Sequence, residues 1–187
     1  MKIRLITLLL FQSVVFTAQV SNKVKELAKP LDTISYAESS HIGIGGEKSK
    51  IYNHFKNLSK AANNNELYYF AKKGSNALKL YSSQELFKRD DKRFLEIYKF
   101  YSENPVVMKY TMGCVGERES ITYYLKNEML AAKEIISLRD SLLQQKEDKL
   151  IKIQLKQIEA LGYNKLSQEN IDLYLKEIQK INSEKKR

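Results

Sequence analysis

The sequence predicts an all-α protein: an irregular array of helical hairpins followed by a C-terminal amphipathic helical hairpin. Three observations predict it. Apolar residues recur at three- and four-residue spacing through most of the chain, as in Ile51, Tyr52, Phe55, Leu58 and Ala62. Residues that start and stop helices punctuate those stretches, among them Ser49, Asn63-Asn64-Asn65, Gly74, Ser75 and Pro105. No stretch alternates apolar and polar residues cleanly enough to read as a strand.

Residues 1–19 stand apart. Lys2 and Arg4 precede an apolar run from Leu5 to Phe16, and the small or polar residues Thr17, Ala18 and Gln19 follow. This order of charge, short apolar stretch and small-residue exit is that of an export signal. The run falls short of the roughly 20 apolar residues that span a bilayer. Cleavage after Ala18 and after Gln19 both remain open. No cysteine lies at the exit, which argues against a lipid anchor. The expected location is therefore exported, either periplasmic or secreted, with no transmembrane span once the signal is removed.

Residues 20–48 read as a connector with one short helix, closed by Pro30 and then broken by Gly43, Gly45 and Gly46. Residues 49–130 form the expected main helical domain. Ser49 caps its first helix, and a second runs from Glu66 to Lys73 with Gly74 as a left-handed C-cap. Ser75 caps a third, in which Leu78, Tyr81 and Leu86 face the core. Arg89-Asp90-Asp91-Lys92-Arg93 makes a charged turn, and Phe94, Ile97, Tyr98 and Tyr101 mark a fourth helix. Val106 to Val115 is apolar and ends among glycines, and a long helix follows from Ile121 to Lys146. Residues 131–187 are the C-terminal segment. There Ile151 to Leu161, a turn at Gly162, a cap at Ser167 and the stripe Ile171, Tyr174, Leu175, Ile178 and Ile181 predict the antiparallel helical hairpin.

The formal net charge of +10 falls to +8 without the two charges at Lys2 and Arg4. A positive surface attracts phosphate, anionic lipid or acidic partners. Acids and bases interleave along the C-terminal third, however, as they do on a solvated face. Export removes the nucleic-acid reading of the charge. Cys114 is the only cysteine, so no internal disulfide can form, and its apolar setting predicts a buried thiol.

The motifs that carry chemistry are absent or incomplete. Gly43-Ile-Gly-Gly-Glu-Lys-Ser49 lacks the glycine before lysine that lets a phosphate-binding loop wrap its ligand, and Glu47 there would repel phosphate. His41 and His54 are not spaced as a helical metal pair and have no cysteine companions. Glu117 and Glu119 flank Arg118, as expected of a solvated turn. The expectation is thus no catalytic residue, no cofactor and no metal. Most of the twelve tyrosines fall on apolar stripes, including Tyr52, Tyr81, Tyr98 and Tyr124. Adjacent tyrosines cannot both face the core, so the pairs Tyr68-Tyr69 and Tyr123-Tyr124 mark possible partner-binding positions.

Sliding the chain by 29 residues places Tyr69 on Tyr98, Ala77-Leu78 on Val106-Val107, Tyr81 on Tyr110 and Leu86 on Val115. A polar turn followed by small apolar residues and an aromatic resembles a short HEAT-type helical repeat over about residues 49–125. Asn76-Ala-Leu-Lys-Leu-Tyr81 is the segment most similar to the start of such a repeat's inner helix. The resemblance implies stacked helix pairs with a concave face for a protein or peptide. The expected function is an exported, non-enzymatic helical module that binds such a partner. The alternative is an envelope-associated structural protein whose basic surface contacts anionic surfaces.

Overall fold

A computed structural model describes residues 20–146 and 148–184. The expected export signal lies outside the described residues. The chain runs α1 (Asn22–Ala28), a 3-10 turn (Lys29–Leu31), β1 (Ala37–Ile42), β2 (Glu47–Lys48), α2 (Lys50–Ala61), α3 (Asn64–Lys73), α4 (Asn76–Lys88) and α5 (Arg93–Glu103). It continues through β3 (Val107–Gly113), β4 (Val115–Ser120), α6 (Ile121–Leu143), α7 (Lys149–Ala160) and α8 (Gln168–Glu184).

The fold is therefore not all-α. A four-stranded mixed sheet, ordered β2-β1-β3-β4, is built into one side of the helical array. β1 and β3 are parallel, with Ala37 opposite Tyr110 and Ile42 opposite Gly113, and helices α2 to α5 lie between them in the chain. β3 and β4 form an antiparallel hairpin in register from Val107–Ser120 to Met112–Val115. The connector thus contains β1 and β2, the apolar run Val106 to Val115 contains β3, and the polar stretch after it supplies β4. Their signal is missing for a physical reason. In β1 only Ala37 is buried, and in β4 no residue is buried. Strands of a sheet with one packed and one solvated face ordinarily alternate apolar and polar residues. This sheet is fastened instead by tyrosine hydroxyls reaching in from helices. Tyr81 of α4 accepts from the Glu38 N–H (2.7 Å) and donates to the Glu38 carbonyl (2.6 Å). Tyr124 of α6 accepts from the Glu119 N–H (3.0 Å) and lies within donating reach of the Glu117 and Met108 carbonyls.

Helix starts follow local chemistry. The side chains of Ser49, Ser75, Ser120 and Asp148 each accept a backbone N–H in the first turn of the helix that follows. Ser167 does the same for α8 through the Asn170 N–H. Asn63 and Glu66 form a reciprocal capping box at α3. Gly74 departs from expectation. Its φ of −71° is not left-handed, and glycine is required because an added Cβ would lie 2.6 Å from Leu78 Cβ and 2.8 Å from the Phe70 carbonyl. The left-handed glycine at a helix end is Gly162 (φ +87°), which lets the chain turn from α7 toward α8.

α4 is the central helix, with Ala77, Leu78, Leu80, Tyr81, Leu86 and Phe87 buried around its circumference. α6 crosses residue 130 unbroken, and α8 packs Ile171, Tyr174 and Ile178 into the main core. Only Leu142, Ile151 and Ile158, between α6 and α7, form a separate small cluster. The 29-residue shift places Ala77-Leu78, inside α4, on Val106-Val107, where β3 begins, and so pairs a helix with a strand. No described helix is long and apolar enough to cross a membrane.

Candidate binding site

The parallel pairing of β1 with β3 puts both of their outgoing turns at one end of the sheet. The Gly43 N–H donates to the Gly113 carbonyl at 2.9 Å and ties the two tips together. Gly43 and Gly113 both have positive φ, +72° and +57°, which permits the tight reversals. The result is an exposed apolar lip: Ile44 is 97% exposed, Met112 65% and Val115 59%.

Beside that lip a slot of about 220 Å³ opens between the β3–β4 hairpin and α6. Tyr110, Met112 and Val115 form its sheet wall, and Tyr123, Tyr124 and Ala131 its helical wall. The Tyr110 and Tyr124 rings meet at 5.2 Å, and the Tyr123 ring stands edge-on to Tyr124 at 5.6 Å. Polar groups rim the slot: Gln84, Glu117, Asn127 and Glu128. Burial raises the Tyr110 hydroxyl above the ordinary phenol range, and the nearby Glu128 carboxylate adds to this, so it stays a neutral donor.

Glu128 anchors a polar cluster at the back of the slot. Its carboxylate accepts from Tyr163 Oη (2.7 Å) and Gln84 Nε2 (3.3 Å) and pairs with Lys88 Nζ (3.1 Å). The Lys88 ammonium also sits 5.0 Å from the Tyr163 ring centroid. Burial opposes charge on Lys88, but the Glu128 carboxylate, with Tyr52 and Glu85 nearby, outweighs it and holds the ammonium above its usual range. The cluster is consequently a charged wall, fixed from α4, α6 and the α7–α8 turn.

The four tyrosines singled out in the sequence do not share a face. Tyr123 is 41% exposed on the slot, and Tyr124 is buried behind it with its hydroxyl bound to the strands. Tyr69, 45% exposed, borders an open recess of about 530 Å³ between α1 and α3. Tyr68 donates to Glu96 (2.9 Å) beneath the Arg93 guanidinium. Each adjacent pair has one exposed member, but the exposed members belong to different sites.

Cys114 is exposed at the β3–β4 turn rather than buried. Its apolar neighbours Met112 and Val115 face solvent too, which sequence reading cannot distinguish from a core stretch. Glu117 and Glu119 lie on strand β4, not in a turn. His41 is exposed with the Ser40 hydroxyl at 3.1 Å, and among the described residues no hydrogen bond joins it to Cys114 or a carboxylate. No three described His, Cys, Asp or Glu side chains converge to hold a metal.

Met112, Val115, Gln84 and Glu128 were not legible as site residues. Met112 and Val115 become a lip only once the hairpin is known, and Glu128 reads as one more surface acid on α6. No family model, curated protein or solved structure matches the chain.

Proposed function

We propose that the chain is an exported, non-enzymatic binding module that holds a protein or peptide partner at the slot between the β3–β4 hairpin and α6. The observation that carries this reading is the juxtaposition of a largely apolar slot with an exposed apolar lip at the same end of the sheet. The slot takes an apolar side chain, while Met112, Val115 and Tyr123 cover its neighbours. Glu117 and Glu119 have no ion-pair partner among the described residues and lie on the strand that walls the slot. The bound segment therefore carries a Lys or Arg close to its apolar anchor. Export rests on the order of residues 1–19.

Peptide display on the purified protein tests the reading. Selected peptides should share an apolar residue within two positions of a Lys or Arg. Ala131→Trp, which fills the slot, should weaken them at least roughly tenfold, as expected when a buried anchor is lost. Peptides that bind the filled variant equally well would refute the site. Residues 1–19 fused to a phosphatase active only outside the cytoplasm should give activity, and an inactive fusion would refute export.

A further inference from the structure

We propose that a second cleft, on the far side of the Lys88–Glu128 wall from the slot, binds a multiply charged phosphate group. This cleft, of about 360 Å³, lies between α2, α4 and the α7–α8 turn. That volume falls in the range of small-ligand sites. Its lining includes five cations, Lys56, Lys60, Lys88, Arg89 and Lys165, against one carboxylate, Glu85.

The charges are not equivalent. Arg89 is consumed by structure: Nε binds Glu85 (2.8 Å), and the terminal nitrogens bind the Ser59 and Ala62 carbonyls and Asn64 Oδ1. Lys88 is held by Glu128. Arg89 thereby neutralises the only lining carboxylate, and Lys56, Lys60 and Lys165 are left without an ion-pair partner among the described residues. Lys56 and Lys60 are one helical turn apart on α2. Lys165 arrives from a turn about a hundred residues later. Gly162, in its left-handed conformation, seats that turn against the Lys88 stem, where an added Cβ would lie 3.7 Å from Lys88 Cδ.

Lysines on a convex helix face are solvated individually. Here they converge from two elements on a concavity, so each raises the potential felt by an anion held among them. The floor is aromatic, with the Tyr81 ring stacked on Phe55 and edge-on to Tyr52. The Tyr52 hydroxyl has no hydrogen-bond partner among the described residues and adds an O–H donor on the cleft wall. Ammonium groups act as point charges toward phosphate oxygens and do not require a planar ligand. Three of them match a group with two or more charges, whether a free phosphate compound or a phosphate-bearing lipid headgroup.

Titration calorimetry with inorganic tripolyphosphate at near-physiological salt tests the assignment. Saturable binding to one site per chain is expected. The variant Lys56→Gln/Lys60→Gln/Lys165→Gln should weaken it roughly tenfold or more, because charge-assisted contacts are lost. The control Lys23→Gln/Lys99→Gln/Lys176→Gln removes the same charge elsewhere and should change it less than about threefold, as for screened distant charges. Both variants should unfold at the parent's temperature. In a parallel arm, phosphatidylcholine vesicles containing phosphatidic acid, whose phosphomonoester headgroup can carry two charges, are compared with pure phosphatidylcholine vesicles. Binding of the anionic vesicles that is lost in the cleft variant identifies a lipid headgroup as the source. Tripolyphosphate binding without vesicle binding identifies a free phosphate compound. Saturable binding to neither probe, or equal losses in the two triple variants, would overturn the site.

Discussion

Arg89 shows how one side chain can hold two elements in place. Its guanidinium reaches the Ser59 and Ala62 carbonyls at the open C-terminal end of α2, and Glu85 one turn earlier on α4 fixes its stem. Arg89→Ala leaves those carbonyls and Glu85 without their donor and should cost about 2–4 kcal/mol. Arg89→Lys should recover less than about half, because an ammonium cannot reproduce the planar fork. Urea midpoints measure both, and an alanine variant within about 0.5 kcal/mol of the parent, the range of ordinary surface changes, would contradict this role. Glu66 makes a pH-dependent counterpart. Burial pushes its carboxyl up, but the Ser21 and Asn63 N–H groups, at 2.9 and 2.8 Å, outweigh that and lower it. A lowered acid contributes stability that is present above the unfolded value of about 4.3 and lost as pH falls through the folded value. Glu66→Gln should therefore destabilise the protein at pH 7 and flatten the loss of stability between about pH 5 and pH 3. An unchanged slope would show that other carboxylates carry the acid sensitivity. The helix caps at Ser49, Ser75 and Ser167 were legible in the sequence because a cap acts on its own first turn. Gly74 and Cys114 were not, since Leu78 against Gly74 and solvent around Cys114 are facts of packing.

Among the elements, the helices declared themselves by spacing and the strands did not. β1 and β4 are polar segments, β1 meets β3 only after four intervening helices, and the fasteners of β1 and β4, Tyr81 and Tyr124, sit on helices. Nothing local marks Ala37-Glu-Ser-Ser-His-Ile42 as a strand. The slot inherited that illegibility, because two of its walls are β3 and β4. Tyr123 could be found from the sequence, as the exposed member of an adjacent pair, whereas Met112 reads as core until the hairpin is drawn. The α6–α7 hairpin has a different weakness. Its buried closure is Leu142, Ile151 and Ile158, with Leu155 and Ile135 packed against them, and Ile135 also touches the main core. Ile151 retains 8% exposure in a small cluster and Leu78 none in the main core, so Ile151→Ala should cost about 2–3 kcal/mol and Leu78→Ala about 3–5. Amide exchange should open α7 well before α4. Equal protection of the two helices would show that α7 belongs to the main cooperative unit.

At the scale of the molecule, α8 returns to the core and gives the chain its closure. Tyr174 is buried against Phe87 and Phe94 and donates to Asp90 at 2.9 Å, while Asn170 donates to the same carboxylate at 2.8 Å. Asp90 can receive both because its positive φ of 55° turns the chain sharply between α4 and α5. The turn that leads into α8 also delivers Tyr163 to Glu128 and Lys165 to the cationic cleft. One wall, Lys88 with Glu128, thus separates an apolar slot with an acidic edge from a cleft lined by free lysines. In the proposed function the partner sits in the slot beside Tyr123. A photo-crosslinking amino acid placed at position 123, and separately at position 69 on the α1–α3 recess, tests this most directly in the producing cell. A discrete adduct from position 123 that disappears with Ala131→Trp, with none from position 69, is the expected result. Adducts from position 69 alone, or a position-123 adduct that survives the filled slot, would contradict that placement.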